Sequence, residues 1–402
     1  MLKQTTQQQV GSHCSVFQVE QRLPHRYPYK EIPFNERVQN VVYDSFGYLG
    51  LQRNIDMIKD SKFSNEERIK SLKLIFNSCI NPDMKARAIT QFKIVDALLY
   101  LFGTDFQNSI ATISHRILLN EWASKIVHSL ASISTFKEAL KPLIYPLLTV
   151  ITGDIMKGSS TKLKHTTHYR DKVAAAQALH QFSLCHAGCK VLLSYDMERK
   201  DDNKILDVLI YTMSNSTSEL LIEYCVKTVS SMCELNPNAR DKAASLNVVN
   251  SLNTLLDMFE MYPISLTANA CLLVWNVSLD GQGKPYCKEL IPKLGRVIEY
   301  ALKNVDTIDL ENISENDTFA IDLLASLQYC VGAMSSILVF EESKILLTKN
   351  VHSEDNRRQE INSVTLLCRS LVALRDRSSM LNQLAFKRYL SYHEFETHSR
   401  KY

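Results

Sequence analysis

A long amphipathic stretch that closes on a small or polar residue returns in register along the chain. Its copies are NEERIKSLKLIFNSC (65–79), ISHRILLNEWASKIVHSLASI (113–133), DKVAAAQALHQFSLC (171–185), SELLIEYCVKTVSSMCEL (218–235) and SLTANACLLVWNVSLDGQG (265–283). After each comes a turn of about ten residues and a shorter apolar stretch, such as FKIVDALLYLF (92–102) or KILDVLIYTM (204–213). A weaker sixth copy is FAIDLLASLQYCVGAMSSILV (319–339). Aligning the ends of the long stretches brings Asn77, Ser129, Gln181, Ser231 and Asn276 to one equivalent position, at intervals of 52, 52, 50 and 45 residues. In the third copy Val173, Ala176, Leu179 and Phe182 recur at three-residue spacing, an apolar stripe that one helix pair cannot bury alone. Stacking the next copy covers it, so the spacing predicts an array of helical repeats with one continuous core.

Composition agrees. Gly at 11 and Pro at 10 together make about 5% of 402 residues, against about 12% in average chains. Strand-and-turn folds and phosphate-cradling loops both need more glycine than this. The net charge of +3 gives no electrostatic footprint for nucleic acid. The start (MLKQTTQQQVGSHCSVF) lacks the apolar core of a signal peptide, and no unbroken run of about eighteen apolar residues marks a membrane span. The cysteines, among them Cys79, Cys225, Cys233, Cys271, Cys330 and Cys368, fall within apolar helical stretches and read as free buried thiols of a reducing compartment. The expected location is the cytoplasm or cytoskeleton.

The segment LLVWNVSLDGQGK (272–284) resembles the armadillo consensus, in which an Ala-Leu-Trp-Asn-Leu-Ser stretch closes the long helix of each repeat. The intervals here slightly exceed the about 40–47 residues of armadillo or HEAT units, and KGSSTKLKHTTHYR (157–170) and DMERKDDNK (196–204) read as loop insertions. Importin-α-like receptors of that family carry a Trp four residues before the Asn. Here Leu272 and Lys73 stand there, which disfavours a nuclear-import receptor and makes Trp275 a packing residue. A second resemblance covers the N-terminal quarter. A leader with Pro24, Pro28 and Pro33, a first helix with Tyr43, Gly47 and Leu51, and the turn SCINPD (78–83) are similar to the start of the radial spoke head 14 family of ciliary axonemes. That resemblance implies a structural subunit of the radial spoke, held by other spoke proteins.

Candidate chemistry is sparse. Cys185, His186 and Cys189 lie close together, but zinc needs four ligands in spaced pairs and no second pair stands nearby. GQGKP (281–285) lacks the G-x-x-x-x-G-K-[ST] pattern and follows a helix, so it reads as a repeat turn with Gly281 as a helix C-cap. No nucleophile–base set, cofactor or metal site emerges, and the chain reads as a non-enzyme. The basic loop 157–170 and the acidic stretch 304–318 read as solvated loops or as docking segments.

The sequence thus predicts an all-α, armadillo/HEAT-like solenoid of about six repeats over 36–375. An extended arm (1–35) precedes it and a basic, aromatic helical tail (376–402) follows. Long helices would line the concave face, with Asn77, Gln181, Ser231 and Asn276 as partner-binding residues. In the tail, Phe386, Arg388, Tyr389 and Tyr392 suit a protein interface or a cap on the last repeat, ahead of RNA or DNA, for which the tail's few positive charges are a weak footprint. The expected partners are other proteins, as subunits of a large assembly or as peptide cargo of a soluble adaptor. No nucleic acid, membrane or small-molecule substrate is expected.

Overall fold

The computed structural model describes residues 48–110, 112–153, 169–198, 204–279, 283–305 and 318–339, and every regular element among them is helical. The repeats lie in one compact unit that begins at Leu51. The chain opens with α1 (Leu49–Lys59) and α2 (Asn65–Ser78). It continues with α3 (Pro82–Thr90), α4 (Ile94–Phe102), the short α5 (Thr104–Ser109) and α6 (Ile113–Ala131). Next come α7 (Lys137–Leu140), α8 (Ile144–Thr152) and α9 (Arg170–Ser183), then α10 (His186–Glu198), α11 (Ile205–Asn215) and α12 (Glu219–Leu235). The last two triplets are α13 (Pro237–Ser245), α14 (Val248–Asp257) and α15 (Ile264–Ser278), and α16 (Lys284–Cys287), α17 (Ile291–Val305) and α18 (Thr318–Ile337).

The repeat therefore has three helices, a first one of 4 to 13 residues, a middle one and a long one, and not the two expected from the sequence. The "turn of about ten residues" is itself the first helix. It escapes a periodicity search because α3 and α13 bury only three residues each: Met84, Lys85 and Ala88 in one, Ala239, Ala243 and Ala244 in the other. Both start on the same device. Asn81 and Asn236 accept a backbone N–H two residues on (Asp83 and Asn238), and a proline fills the first helical position. The SCINPD turn is thus a helix start. At the next corner Lys93 and Asn247 both take a left-handed conformation, with φ of 51° and 57°.

The long helices α2, α6, α9, α12, α15 and α18 pack one on the next in chain order, which builds a ladder. The middle helices α8, α11, α14 and α17 form a second row behind it. Close approach within the ladder rests on small residues: Ala174, Ala175, Ala176 and Ala178 are all buried on α9, as are Ala268, Ala270 and Cys271 on α15. Of the stripe read in the third repeat, Ala176, Leu179 and Phe182 are buried and Val173 is half-buried. α18 is long and apolar enough to cross a bilayer by length and composition, a property missed in the sequence because polar residues interrupt it. Nine of its residues, from Ala320 to Ile337, are buried in the described structure, where it packs on α15 and α17.

Two close approaches hold the corners between a long helix and the first helix of the next repeat. A Cβ on Gly188 would stand 1.8 Å from the Phe182 carbonyl oxygen, and one on Gly283 would stand 2.0 Å from that of Val277. Each glycine lies six residues after the carbonyl it presses on, so the corner recurs where Asn-Pro is absent. The expected C-cap Gly281 lies outside the described residues. So do most of the two insertions (154–168 and 199–203), the acidic stretch 306–317, the arm and the tail with Phe386, Arg388, Tyr389 and Tyr392.

Candidate partner-binding face

Each ladder helix leaves one stripe part-exposed: Lys73 and Asn77 on α2; Trp122, Lys125 and Ser129 on α6; Gln177, His180 and Gln181 on α9. The stripe continues with Tyr224, Lys227 and Ser231 on α12, Asn269, Leu272 and Trp275 on α15, and Tyr329 and Gly332 on α18. Among the four residues expected to bind a partner, Asn77 is exposed, and Gln181 and Ser231 are half-buried. Asn276 differs. It is 4% exposed, and its Nδ2 donates to the Ser230 carbonyl (3.1 Å) and hydroxyl (3.0 Å), so it bonds α15 to α12. An Asn at the end of a long helix looks identical in sequence whether it faces a groove or its neighbour.

Alternate helices of the ladder share a pattern that comparing adjacent repeats does not reveal. On α6, Glu121-Trp122-x-x-Lys125 recurs on α12 as Glu223-Tyr224-x-x-Lys227, and on α18 it becomes Gln328-Tyr329-x-x-Gly332. The aromatic of each stands seven residues before Ser129, Ser231 or Ser336. The preceding helix supplies a ring from the residue just before Asn77, Gln181 or Asn276. Phe76 meets Trp122 at 5.7 Å between centroids and 69°, His180 meets Tyr224 at 6.0 Å and 52°, and Trp275 meets Tyr329 at 6.3 Å and 42°. Trp275 is therefore a packing residue, as expected, and Gly332 makes room for it: a Cβ there would lie 2.6 Å from its ring. The two intervening interfaces carry no such ring pair among the described residues and meet through polar contacts. Between α6 and α9, His128 Nδ1 lies 3.2 Å from the Gln177 carbonyl; between α12 and α15 stands the Asn276 pair.

On two platforms a lysine covers the ring. Lys125 Nζ sits 4.4 Å and Lys73 Nζ 5.5 Å from the Trp122 centroid, and Lys227 Nζ is 5.2 Å from that of Tyr224. The same lysines pair back to Glu121 (2.6 Å) and Glu223 (2.7 Å) one turn earlier. The side chains of Lys125 and Lys227 are 33% and 28% exposed, and those of Glu121 and Glu223 are 10% and 11% exposed. The face thus turns ammonium groups outward and keeps the carboxylates in.

Burial pushes His180 down to about 3, reinforced by Lys227, His128 and Lys137, and lowers His128 too. His180 is neutral in the folded ladder, whereas an unfolded His titrates near 6.5. Below that value the unfolded chain takes up a proton that the folded one refuses, so this contribution to stability is present above about 6.5 and lost as pH falls toward about 3. Replacing His180 by Phe keeps the ring on Tyr224 and removes the titration. Urea midpoints of wild type and H180F should converge at pH 8 and separate at pH 5, with H180F the less acid-sensitive; parallel pH profiles would contradict this.

Burial pushes the thiols of Cys79, Cys189 and Cys287 up to about 12. All eight described cysteines are free, and Cys185 is the one among them that is not buried. Cys185 Sγ accepts from Lys137 Nζ at 3.0 Å and Cys189 Sγ donates to the Ser183 carbonyl at 3.1 Å, so both pack the repeat corner beside exposed His186. No group of three His, Cys, Asp or Glu placed to hold a metal ion occurs among the described residues.

The three-helix repeat and its ladder of long helices define an armadillo-like α-solenoid. No family model matches the chain, and no curated protein does. Among solved structures it is similar to designed armadillo repeat proteins. One shares 11% identity over 70% of this chain and 99% of its own, at a TM-score of 0.48. Another, in complex with the peptide (KR)4, shares 12% over 71% and 99%, at 0.47. A third, computationally designed for modular peptide recognition, shares 13% over 69% and 99%, at 0.47. At such identities and scores the fold stands on the helix packing itself.

Proposed function

We propose that the protein is a non-catalytic scaffold that binds a segment of a partner protein along the ladder face. The observation that carries this is the half-exposed stripe of aromatic, amide and ammonium groups repeated on successive long helices. It is polar enough to stay in water and apolar enough to reward a ligand. Gln181 and Ser231 stand on adjacent helices of that stripe, and the corner contacts of Lys137 and Cys189 use the backbone carbonyls of Gln181 and Ser231. Replacing both by Trp fills the face without charge. Co-purification of partners from cells should fall at least about tenfold with the fold intact; undiminished capture would refute binding at this face.

The finer assignment is a structural subunit of the radial spoke in the ciliary axoneme. Its support is the sequence resemblance of the N-terminal quarter alone: the proline leader, the stretch with Tyr43, Gly47 and Leu51, and the SCINPD segment. Extracting the tagged protein from separated cilia and cell bodies tests it. Recovery in detergent-resistant axonemes with spoke proteins supports the assignment, and a soluble protein exchanging cargo supports an adaptor instead.

A further inference from the structure

We infer that the binding unit of this face is a pair of repeats, and that it takes an acidic, extended segment of a partner with carboxylate side chains about six residues apart. The inference rests on the ladder face being the binding surface and adds the chemistry and register of what it holds.

The register comes from the alternation. Aromatic platforms stand on α6, α12 and α18, while α9 and α15 meet the helix before them through polar contacts with no ring pair among the described residues. At the first and third platforms a hydroxyl bond accompanies the rings: Ser129 donates to the Cys79 carbonyl at 2.9 Å and Ser336 to the Ser278 carbonyl at 2.6 Å, each two residues past the aligned Asn77 or Asn276. At the second, the equivalent Ser183 carbonyl accepts from Cys189 Sγ at 3.1 Å instead. Two interaxial steps of about 8–10 Å separate successive platforms. An extended chain rising about 3.3 Å per residue crosses that distance in about five to six residues.

The chemistry comes from what each platform turns outward. At Trp122 and Tyr224 it is an ammonium group seated on a ring, with its own carboxylate tucked beneath: Lys125 over Glu121 and Lys227 over Glu223. Lys73 adds a second ammonium at the first platform. A carboxylate arriving from the partner meets a lysine already held in place, which lowers the entropy lost on pairing. The third platform carries Gly332, against which Trp275 packs, where the others carry lysine, and its half-exposed Trp275–Tyr329 rings suit an apolar or aromatic side chain about six residues further on.

The test uses the full chain and labelled peptides of roughly eighteen residues, Ser/Thr/Gly-based, in fluorescence anisotropy. The first peptide carries two Glu about six residues apart and then a Phe about six residues on. A second has the Glu about three residues apart, and a third has Lys for Glu. The first should bind at least about tenfold more tightly than either, and its affinity should fall as salt rises. Because K125E would strand the buried Glu121, the informative variants are the exchanges E121K/K125E and E223K/K227E, which keep each ion pair and invert the outward charge. Each should weaken the acidic peptide about tenfold and improve the Lys peptide. Failure of the acidic peptide to bind, indifference to spacing, or indifference to the exchanges would overturn the inference. If the Gln181/Ser231 Trp variant abolishes partner capture while the exchanges do not, the face binds and its chemistry is wrong. If neither variant affects capture, the face itself is not the site.

Discussion

Replacing Lys137 by Ala is expected to cost the array about 3 kcal/mol, because it strands the C-terminus of a helix one repeat away. Lys137 starts α7 and is only 2% exposed. Its Nζ reaches across to α9 and donates to the Gln181 carbonyl (2.9 Å), the Phe182 carbonyl (3.0 Å) and Cys185 Sγ (3.0 Å). Burying an ammonium is costly unless all its protons find acceptors, and here all three do. The acceptors include carbonyls at the negative end of a helix, which would otherwise lack partners. Lys137→Met, which keeps the stem, should cost nearly as much as Lys137→Ala, since the loss lies in the orphaned carbonyls and not in packing. Lys85 is the counterpart one repeat earlier, but its Nζ reaches a single described acceptor, Ser132 Oγ at 2.7 Å, so Lys85→Ala should cost distinctly less. The chain has two tryptophans, Trp122 on α6 and Trp275 on α15, which report urea unfolding at separate points of the array. A K137A midpoint within error of wild type at both would contradict this account of the corner.

The Gly188→Ala substitution should be at least as damaging, about 3 kcal/mol, for a different reason. The new methyl would stand 1.8 Å from the Phe182 carbonyl oxygen and 2.7 Å from Lys137 Cδ. The first of these is backbone, so no rotamer change relieves it, and α10 must draw back from the end of α9. That movement opens the same carbonyl to which Lys137 donates, so the two substitutions should not add. A double mutant close to the worse single mutant is the expected result. Gly283→Ala, against the Val277 carbonyl at 2.0 Å, is the internal replicate and should behave alike. Wild-type stability in both alanine variants would show that the corners open freely.

The long helices were legible because their apolar residues recur at helical spacing and their ends align at Asn77, Ser129, Gln181, Ser231 and Asn276. The short helices were not. α3 and α13 bury too few residues to make a stripe, and their Asn-Pro starts look like turns when the helix behind them is weak. Polarity at the aligned position did not tell exposure either. Gln181 and Ser231 remain part-exposed, while Asn276 turns into the interface with Ser230. The paired platforms were in the sequence throughout, as Glu-Trp-x-x-Lys and Glu-Tyr-x-x-Lys, but they match only when every second repeat is compared. Their acids and lysines look like ordinary solvated helix pairs until the fold stacks a ring from the preceding helix against them.

Site-specific photo-cross-linking in cells tests the central claim most directly, with a photoreactive residue placed at Gln177 on the ladder face in one variant and at Tyr211 on the exposed side of α11 in another. The account predicts partner adducts from Gln177 and few from Tyr211, with the captured segment acidic. Adducts from Tyr211 and none from Gln177 would move the binding surface to the middle helices and contradict it.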